Sequence, residues 1–316
     1  MDNSNIPLTE KYRPTKLDEI VYQKDIINIL NTTKQKSNIP HLLFHGPPGT
    51  GKTSTILAIC RQLYGDDYKK KVLELNASDD RGITIIRGKI KDFSKMSINK
   101  SGPSFKIIIL DEADFLTNDA QSALRRCIET NSNVTRFCII CNYINKIINA
   151  IKSRCAILYF KPIPKEIIEK QLTYIIKKEH LTVDKVFLQK IVDNSNGDLR
   201  KSINSLELLS ICGKHIDRIF IDNTIDENQL DNIYKYSKTQ NFKLLSKYLS
   251  TILNSGISGK VIINNLITNL QNKTKLDDLS KTNIIQEIVK TECSIIDGSD
   301  EYIQLFALCI NIQPYL

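Results

Sequence analysis

Residues 46–54 read GPPGTGKTS, behind the apolar run HLLFH and ahead of the amphipathic stretch TSTILAICRQL. The full pattern G-x-x-x-x-G-K-[ST] between a strand and a helix constrains the fold more than any other feature of the chain. Gly46, Gly49 and Gly51 let the backbone curl until successive N–H groups point at one anion. A helix opening near Lys52 adds its positive N-terminal end. Pro47, Pro48, Thr50 and Ser54 complete the loop. The arrangement is a phosphate cradle, with Lys52 neutralising β/γ-phosphates and the Thr53 hydroxyl reaching a Mg²⁺ ion. The expected cofactors are ATP and Mg²⁺.

A cradle of this type requires a parallel sheet around it. Short apolar runs recur at 41–46, 72–77, 105–114, 135–143 and 156–160, with helical stretches such as 53–63 and 119–129 between them. Near-continuous Ile/Leu/Val runs suit strands covered on both faces. The expected fold is therefore an α/β P-loop domain with a parallel sheet over 1–161. Pro162 and Pro164 mark a junction. Helical periodicity then dominates, giving a small helical lid over 162–224 and an all-α collar over 225–316, with Gly213 and Gly256 closing helices.

The run IIILDEAD at 107–114 ends a strand in two adjacent carboxylates. Asp111 is placed to hold Mg²⁺, and Glu112 to polarise an attacking water as general base. Water as nucleophile makes this an ATPase rather than a kinase. Asn142 follows the next strand, at the carboxyl end where ligands of open α/β sheets bind. It either orients that water and touches the γ-phosphate, or is an ordinary turn residue. In GDLRKS, Asp198 caps a helix whose first turn holds Arg200. A cation there opposes the helix dipole, so Arg200 faces either a nucleotide phosphate or a surface carboxylate.

Arg154 stands in INAIKSRCAILYF, just ahead of an apolar strand, where a charge needs a partner. It either pairs locally or reaches out of its own domain. Cys138 and Cys141 form a C-x-x-C inside a strand. No second ligand pair is evident, and residues three apart on a strand point to opposite faces, so a zinc site is not expected.

With 316 residues, 41% hydrophobic and 25% charged, the chain has ordinary globular composition and is not expected to be disordered. Its net charge of +9 suits a polyanionic partner or a lysine-rich solvated surface. The excess of Ile, Asn and Lys is also what an AT-rich genome encodes. The polar start MDNSNIPLTEKYRP lacks the apolar core of a secretory leader, and no run approaches the ~18 apolar residues of a membrane span. An intracellular protein with reduced thiols and no membrane contact is expected.

EKYRP (10–14), GPPGTGKTS, ELNASDDRGI (74–83), LDEAD, AQSALRR (120–126), RFCIICNYINKIINAIKSRC (136–155) and GDLRKSIN (197–204) occur in that order. Together they resemble the small subunits of replication factor C, the AAA+ clamp loader of DNA replication, over about residues 7–205. Within that family, 74–83 and 136–155 are most similar to the subunit called 3 in yeast and 5 in humans. The resemblance implies that Asn142 is sensor 1 and Arg200 sensor 2. It implies that Tyr12, Arg13 and Pro14 wall an adenine pocket with Ile20 and Val21, and that Arg154 is an arginine finger acting in trans. The catalytic set would be Lys52, Glu112, Asn142 and a neighbour's arginine. The implied partners are the other subunits of a hetero-pentamer, a sliding clamp and primer–template DNA. Thr84, Arg87 and Lys89 would contact DNA phosphates. Phe93, Met96 and Ile98 would touch the clamp, unless Phe93 is core. Localisation would be nuclear in a eukaryote, or at the site of viral DNA replication. The family's usual Trp before EKYRP is missing. Two alternatives stay open: a nucleotide-binding ring member with little turnover, and another AAA+ DNA motor.

Overall fold

The computed structural model describes residues 6–35, 39–78, 83–95, 103–212, 227–239, 241–272 and 276–316. The described chain divides into two compact units, Met1–Ile211 and Cys212–Leu316.

In the first unit, five strands form one parallel sheet: β1 (Leu42–His45), β2 (Val72–Asn76), β3 (Lys106–Asp111), β4 (Thr135–Cys141) and β5 (Ala156–Tyr159), in the order β2-β3-β4-β1-β5. Alternation along each strand splits the interior into two layers. Leu42, Phe44, Ile107, Ile109, Cys138 and Ile140 face one layer; Leu43, Ile108, Leu110, Phe137, Ile139 and Cys141 face the other. Helices α1 (Lys24–Gln35) and α2 (Lys52–Tyr64) cover the first layer. Helices α3 (Ile83–Lys95) and α4 (Asn118–Asn131) cover the second. Cys138 and Cys141 thus lie on opposite faces of the sheet.

The apolar run 156–160 reads as a strand covered on both faces, but β5 is a sheet edge, with Ile157 44% and Tyr159 49% exposed. Its neighbour β1 covers one hydrogen-bonding side only. Phe93 is buried in one core cluster with Ile90, Leu110 and Phe137, so it is core and not an apolar anchor for a partner. Lys106 is buried beside it and donates a 2.5 Å hydrogen bond to the Phe93 carbonyl. Met96 and Ile98 lie outside the described residues.

Beyond β5 come α5 (Lys165–Lys178), α6 (Lys185–Asn194) and α7 (Leu199–Cys212). Asp198 caps α7, its Oδ1 accepting from the Lys201 N–H at 3.0 Å. The second unit contains α8 (Glu227–Lys238), α9 (Phe242–Asn254), α10 (Gly259–Asn272), α11 (Asp278–Ile296) and α12 (Glu301–Asn311), packed around Ile233, Leu249, Ile263, Ile284, Ile288 and Leu308. Gly256 takes a φ of +93° just past α9, the left-handed stop that glycine allows without strain. Among the described residues, no helix is long and apolar enough to cross a membrane.

Candidate nucleotide site

Three strand ends converge. The loop 46–51 leaves β1, Asp111 ends β3, and Asn142 follows β4. Because β1 lies beside β4, and β4 beside β3, these residues share one edge of the sheet. That edge is the carboxyl side, where the order of strands opens a crevice.

Lys52 opens α2 and is only 7% exposed. Its Nζ donates to the Gly46 carbonyl at 2.8 Å, the Pro47 carbonyl at 2.7 Å and Asn142 Oδ1 at 3.0 Å. All three ammonium donors are therefore used, and a buried cation is tolerated. Burial pushes the Lys52 pKa down, while Asp111, Cys141 and Asp114 push the other way. Thr53 Oγ1 donates to Asp111 Oδ2 at 2.7 Å. Asp111 Oδ1 accepts from the Glu112 N–H at 2.9 Å. The carboxylate is thus oriented by both of its oxygens. Glu112 itself has a φ of +55°, a left-handed conformation that costs a non-glycine residue of order 1–3 kcal/mol. Asp114 is buried, and its Oδ1 has no hydrogen-bond partner among the described residues.

Gly51 has a φ of +92°, and nothing lies within 4 Å of where a Cβ would be, so the loop leaves open space at the start of α2. A Cβ on Gly49 would sit 1.7 Å from Asp198 Oδ1. The Leu199 N–H also reaches the Gly49 carbonyl at 3.4 Å. The phosphate-type loop and the N-terminus of α7 are therefore in direct contact.

A cavity open to solvent adjoins this loop. Gly49, Thr50, Gly51 and Ser54 form its floor; Tyr12, Arg13, Pro14, Ile20 and Val21 form one wall; Leu199, Arg200 and Ile203 form the other. The five N-terminal residues named from sequence thus meet the loop in one place. Arg200 faces the cavity and pairs with no carboxylate among the described residues. Hydroxyl and carboxylate oxygens at Thr53 and Asp111, an open cradle at Gly51 and two cations suit a magnesium nucleotide.

Arg154 does not join this set. Its Nη2 pairs with Glu129 Oε1 at 2.6 Å and its Nη1 donates to the Ala150 carbonyl at 2.6 Å. Arg125 Nε reaches the same Glu129 oxygen at 3.2 Å. The side chain lies on the surface, one third exposed. Thr84 and Arg87 have side chains outside the described residues, while Lys89 is exposed on α3.

Sequence reasoning missed Ile163, Leu199 and Ile203 in the cavity, and Gln121 in the interior beneath α4. Gln121 is 1% exposed. It donates to the Leu116 and Lys146 carbonyls at 3.2 and 2.9 Å and accepts from the Ile148 N–H at 2.9 Å. It ties α4 to the segment that leads to Arg154. Ile203 carried a signal, lying one turn beyond Arg200 on the same helix face. Gln121 carried none, since a polar residue on an amphipathic helix normally faces water.

The fold and cavity define an ATPase of the AAA class: residues 42–163 match the AAA family of ATPases associated with various cellular activities. Residues 170–211 match the AAA+ ATPase lid domain of the RCF1/5-like type, and residues 225–311 the replication factor C C-terminal domain. Replication factor C subunit 2 of Oryza sativa subsp. japonica is 42% identical over 313 residues, covering 96% of this chain and 92% of the relative. Subunit 4 of Homo sapiens is 37% identical, covering 98% and 89%. The small subunit of Sulfurisphaera tokodaii is 41% identical, covering 97% and 94%. The chain belongs to the replication factor C small-subunit family. These eukaryotic relatives carry the numbers 2 and 4, and nothing in them singles out the subunit called 3 in yeast and 5 in humans. The Thermotoga maritima RuvB Holliday junction branch migration motor shares the fold, with a TM-score of 0.53, 16% identity, and 76% of this chain and 85% of that chain covered.

Proposed function

We propose that this chain is an ATP-hydrolysing subunit of a clamp loader, acting in a hetero-pentamer that opens a sliding clamp and loads it onto primer–template DNA. The observation that carries the reading is the meeting of Lys52, Thr53, Asp111 and Asn142 at one sheet edge. ATP would lie with its triphosphate over Gly46–Ser54 and its base against Tyr12, Arg13, Pro14, Ile20 and Val21. Thr53 and Asp111 would hold Mg²⁺, which would neutralise phosphate charge. Lys52 would give up carbonyl partners for β/γ-oxygens while Asn142 keeps its head group in line. Glu112 would take the proton of the attacking water. Arg200 would bind phosphate from the lid side, so closing of α7 would follow the nucleotide state. Arg154 would complete the site of the adjoining subunit. Lys89, exposed on α3, is our candidate phosphate contact to DNA.

Homologues named as replication factor C subunits support assembly with other such subunits and a role in replication, in the nucleus of a eukaryote or at sites of viral DNA synthesis. Relatives numbered 2 and 4 at about the same identity as archaeal small subunits favour no single position in the ring. The reading is tested by placing Glu112→Gln in this subunit alone within a reconstituted ring. Retained ATP binding with lost hydrolysis at this site supports it. Unchanged hydrolysis favours a nucleotide-binding ring member with little turnover.

A further inference from the structure

One wall of the cavity, residues 9–14, belongs to neither the sheet nor its covering helices. Glu179 anchors it through two side chains. Glu179 caps the C-terminus of α5, its own N–H held by the Ile175 carbonyl at 2.9 Å. It accepts from Lys11 Nζ at 2.8 Å and from the Tyr12 hydroxyl. The Tyr12 ring stands edge-on to Tyr174 of the same helix, centroids 6.2 Å apart. A second tether lies on α7, where Glu207 Oε1 accepts from the Leu8 N–H at 3.2 Å. Residues 8–12 therefore hang on the lid helices that also bring Leu199, Arg200 and Ile203 to the cavity. Ile20 and Val21 belong to a different support, fixed through Gln23 Nε2 donating to the Lys161 carbonyl at 2.8 Å.

Ionisation fits this anchor. Hydrogen bonds from Lys11 and then Tyr12 hold the Glu179 carboxyl below its ordinary range. Burial, then the Glu179 contact, pushes the Tyr12 phenol up, so it stays a donor.

We propose that Glu179 is a positioning residue for nucleotide recognition: it sets the wall that grips the base, through Tyr12 and Lys11, without touching the phosphates. This rests on the reading of the cavity as the base pocket. Nucleotide affinity then contains a lid-borne part that the phosphate loop does not supply.

The test is calorimetric binding of MgATP and of inorganic tripolyphosphate with Mg²⁺ to the full chain. Glu179→Ala is expected to weaken MgATP about three- to tenfold, the loss of one or two hydrogen bonds, and to leave tripolyphosphate unchanged. Tyr12→Phe, which keeps the ring, should move in the same direction and covers the case in which Glu179→Ala fails to fold. Glu179→Gln keeps an acceptor for the Tyr12 hydroxyl and should retain most of the affinity. MgATP binding unchanged in both Glu179→Ala and Tyr12→Phe would overturn the proposal, as would equal losses for both ligands. If the unsubstituted chain bound tripolyphosphate as tightly as MgATP, the base-pocket reading would fall, and this proposal with it.

Discussion

Lys52 and Asn142 lie 90 positions apart in the chain, yet the Lys52 ammonium donates a 3.0 Å hydrogen bond to Asn142 Oδ1. This bond joins the phosphate-type loop to the end of β4. Asn142→Ala should leave MgATP affinity within a few fold, because Lys52 keeps its charge for the β/γ-phosphates. Turnover in the assembled ring should fall by about 10²-fold, the usual effect of removing one oriented polar group from a charged transition state. Single-turnover hydrolysis beside equilibrium binding separates the two effects.

Lys52 gives a pH signature. Its pKa is depressed, chiefly by burial, below the ordinary lysine value of about 10.4. Phosphate binding needs the charged form, so MgATP affinity should fall as pH rises through that depressed pKa. The unfolded chain holds this proton more tightly than the folded one. In the window between the folded and unfolded pKa, this group therefore makes nucleotide-free stability rise with pH. Affinity falling while this contribution rises is the expected pair of slopes, read by titration and by chemical denaturation across the alkaline range.

Gly49→Ala tests the contact between loop and lid. The added Cβ would meet Asp198 Oδ1 at 1.7 Å, at a backbone φ of +67°. Either the loop or α7 has to move. MgATP affinity should drop at least tenfold, with the melting temperature of the nucleotide-free chain lowered by only a few degrees. Binding at the unsubstituted level would show that the contact is not needed.

Gln121→Leu removes three hydrogen bonds in the interior and leaves the Ile148 N–H and two carbonyls without this partner. Buried polar groups left unpaired cost about 1–3 kcal/mol each, partly offset by the apolar side chain and by relaxation. A loss of about 2–4 kcal/mol in the unfolding of the first unit is expected by urea denaturation. Gln121→Glu should cost at least as much, since it keeps the acceptor for Ile148 but sets a buried carboxyl group against the Leu116 and Lys146 carbonyls.

The sheet was legible because each strand is an apolar run and the glycine loop fixes the turn from β1 into α2. The parallel sheet, the Lys52–Thr53–Asp111 cluster and the Asp198 cap all arise from local pattern. Three features did not. The exposure of β5 depends on strand order, which no periodicity encodes. Phe93 could not be placed, because a large apolar residue near a helix end reads equally as core or as contact. The Glu129 partner of Arg154 lies 25 residues upstream on another element, and only the folded chain brings the two side chains together.

Arg154 decides whether this chain completes a neighbouring site. In the single chain it is paired with Glu129 on the surface, away from its own loop. An exposed pair of this kind is weak, so a phosphate group on an adjoining subunit would readily displace it. The decisive measurement is site-resolved ATP hydrolysis in a reconstituted ring, with clamp and primed DNA, in which only this subunit carries Arg154→Ala. The expected result is unchanged MgATP binding at this subunit and hydrolysis in the adjoining one reduced by about 10³-fold or more. Full hydrolysis in the adjoining subunit, or a loss confined to this subunit's own ATP affinity, would contradict it.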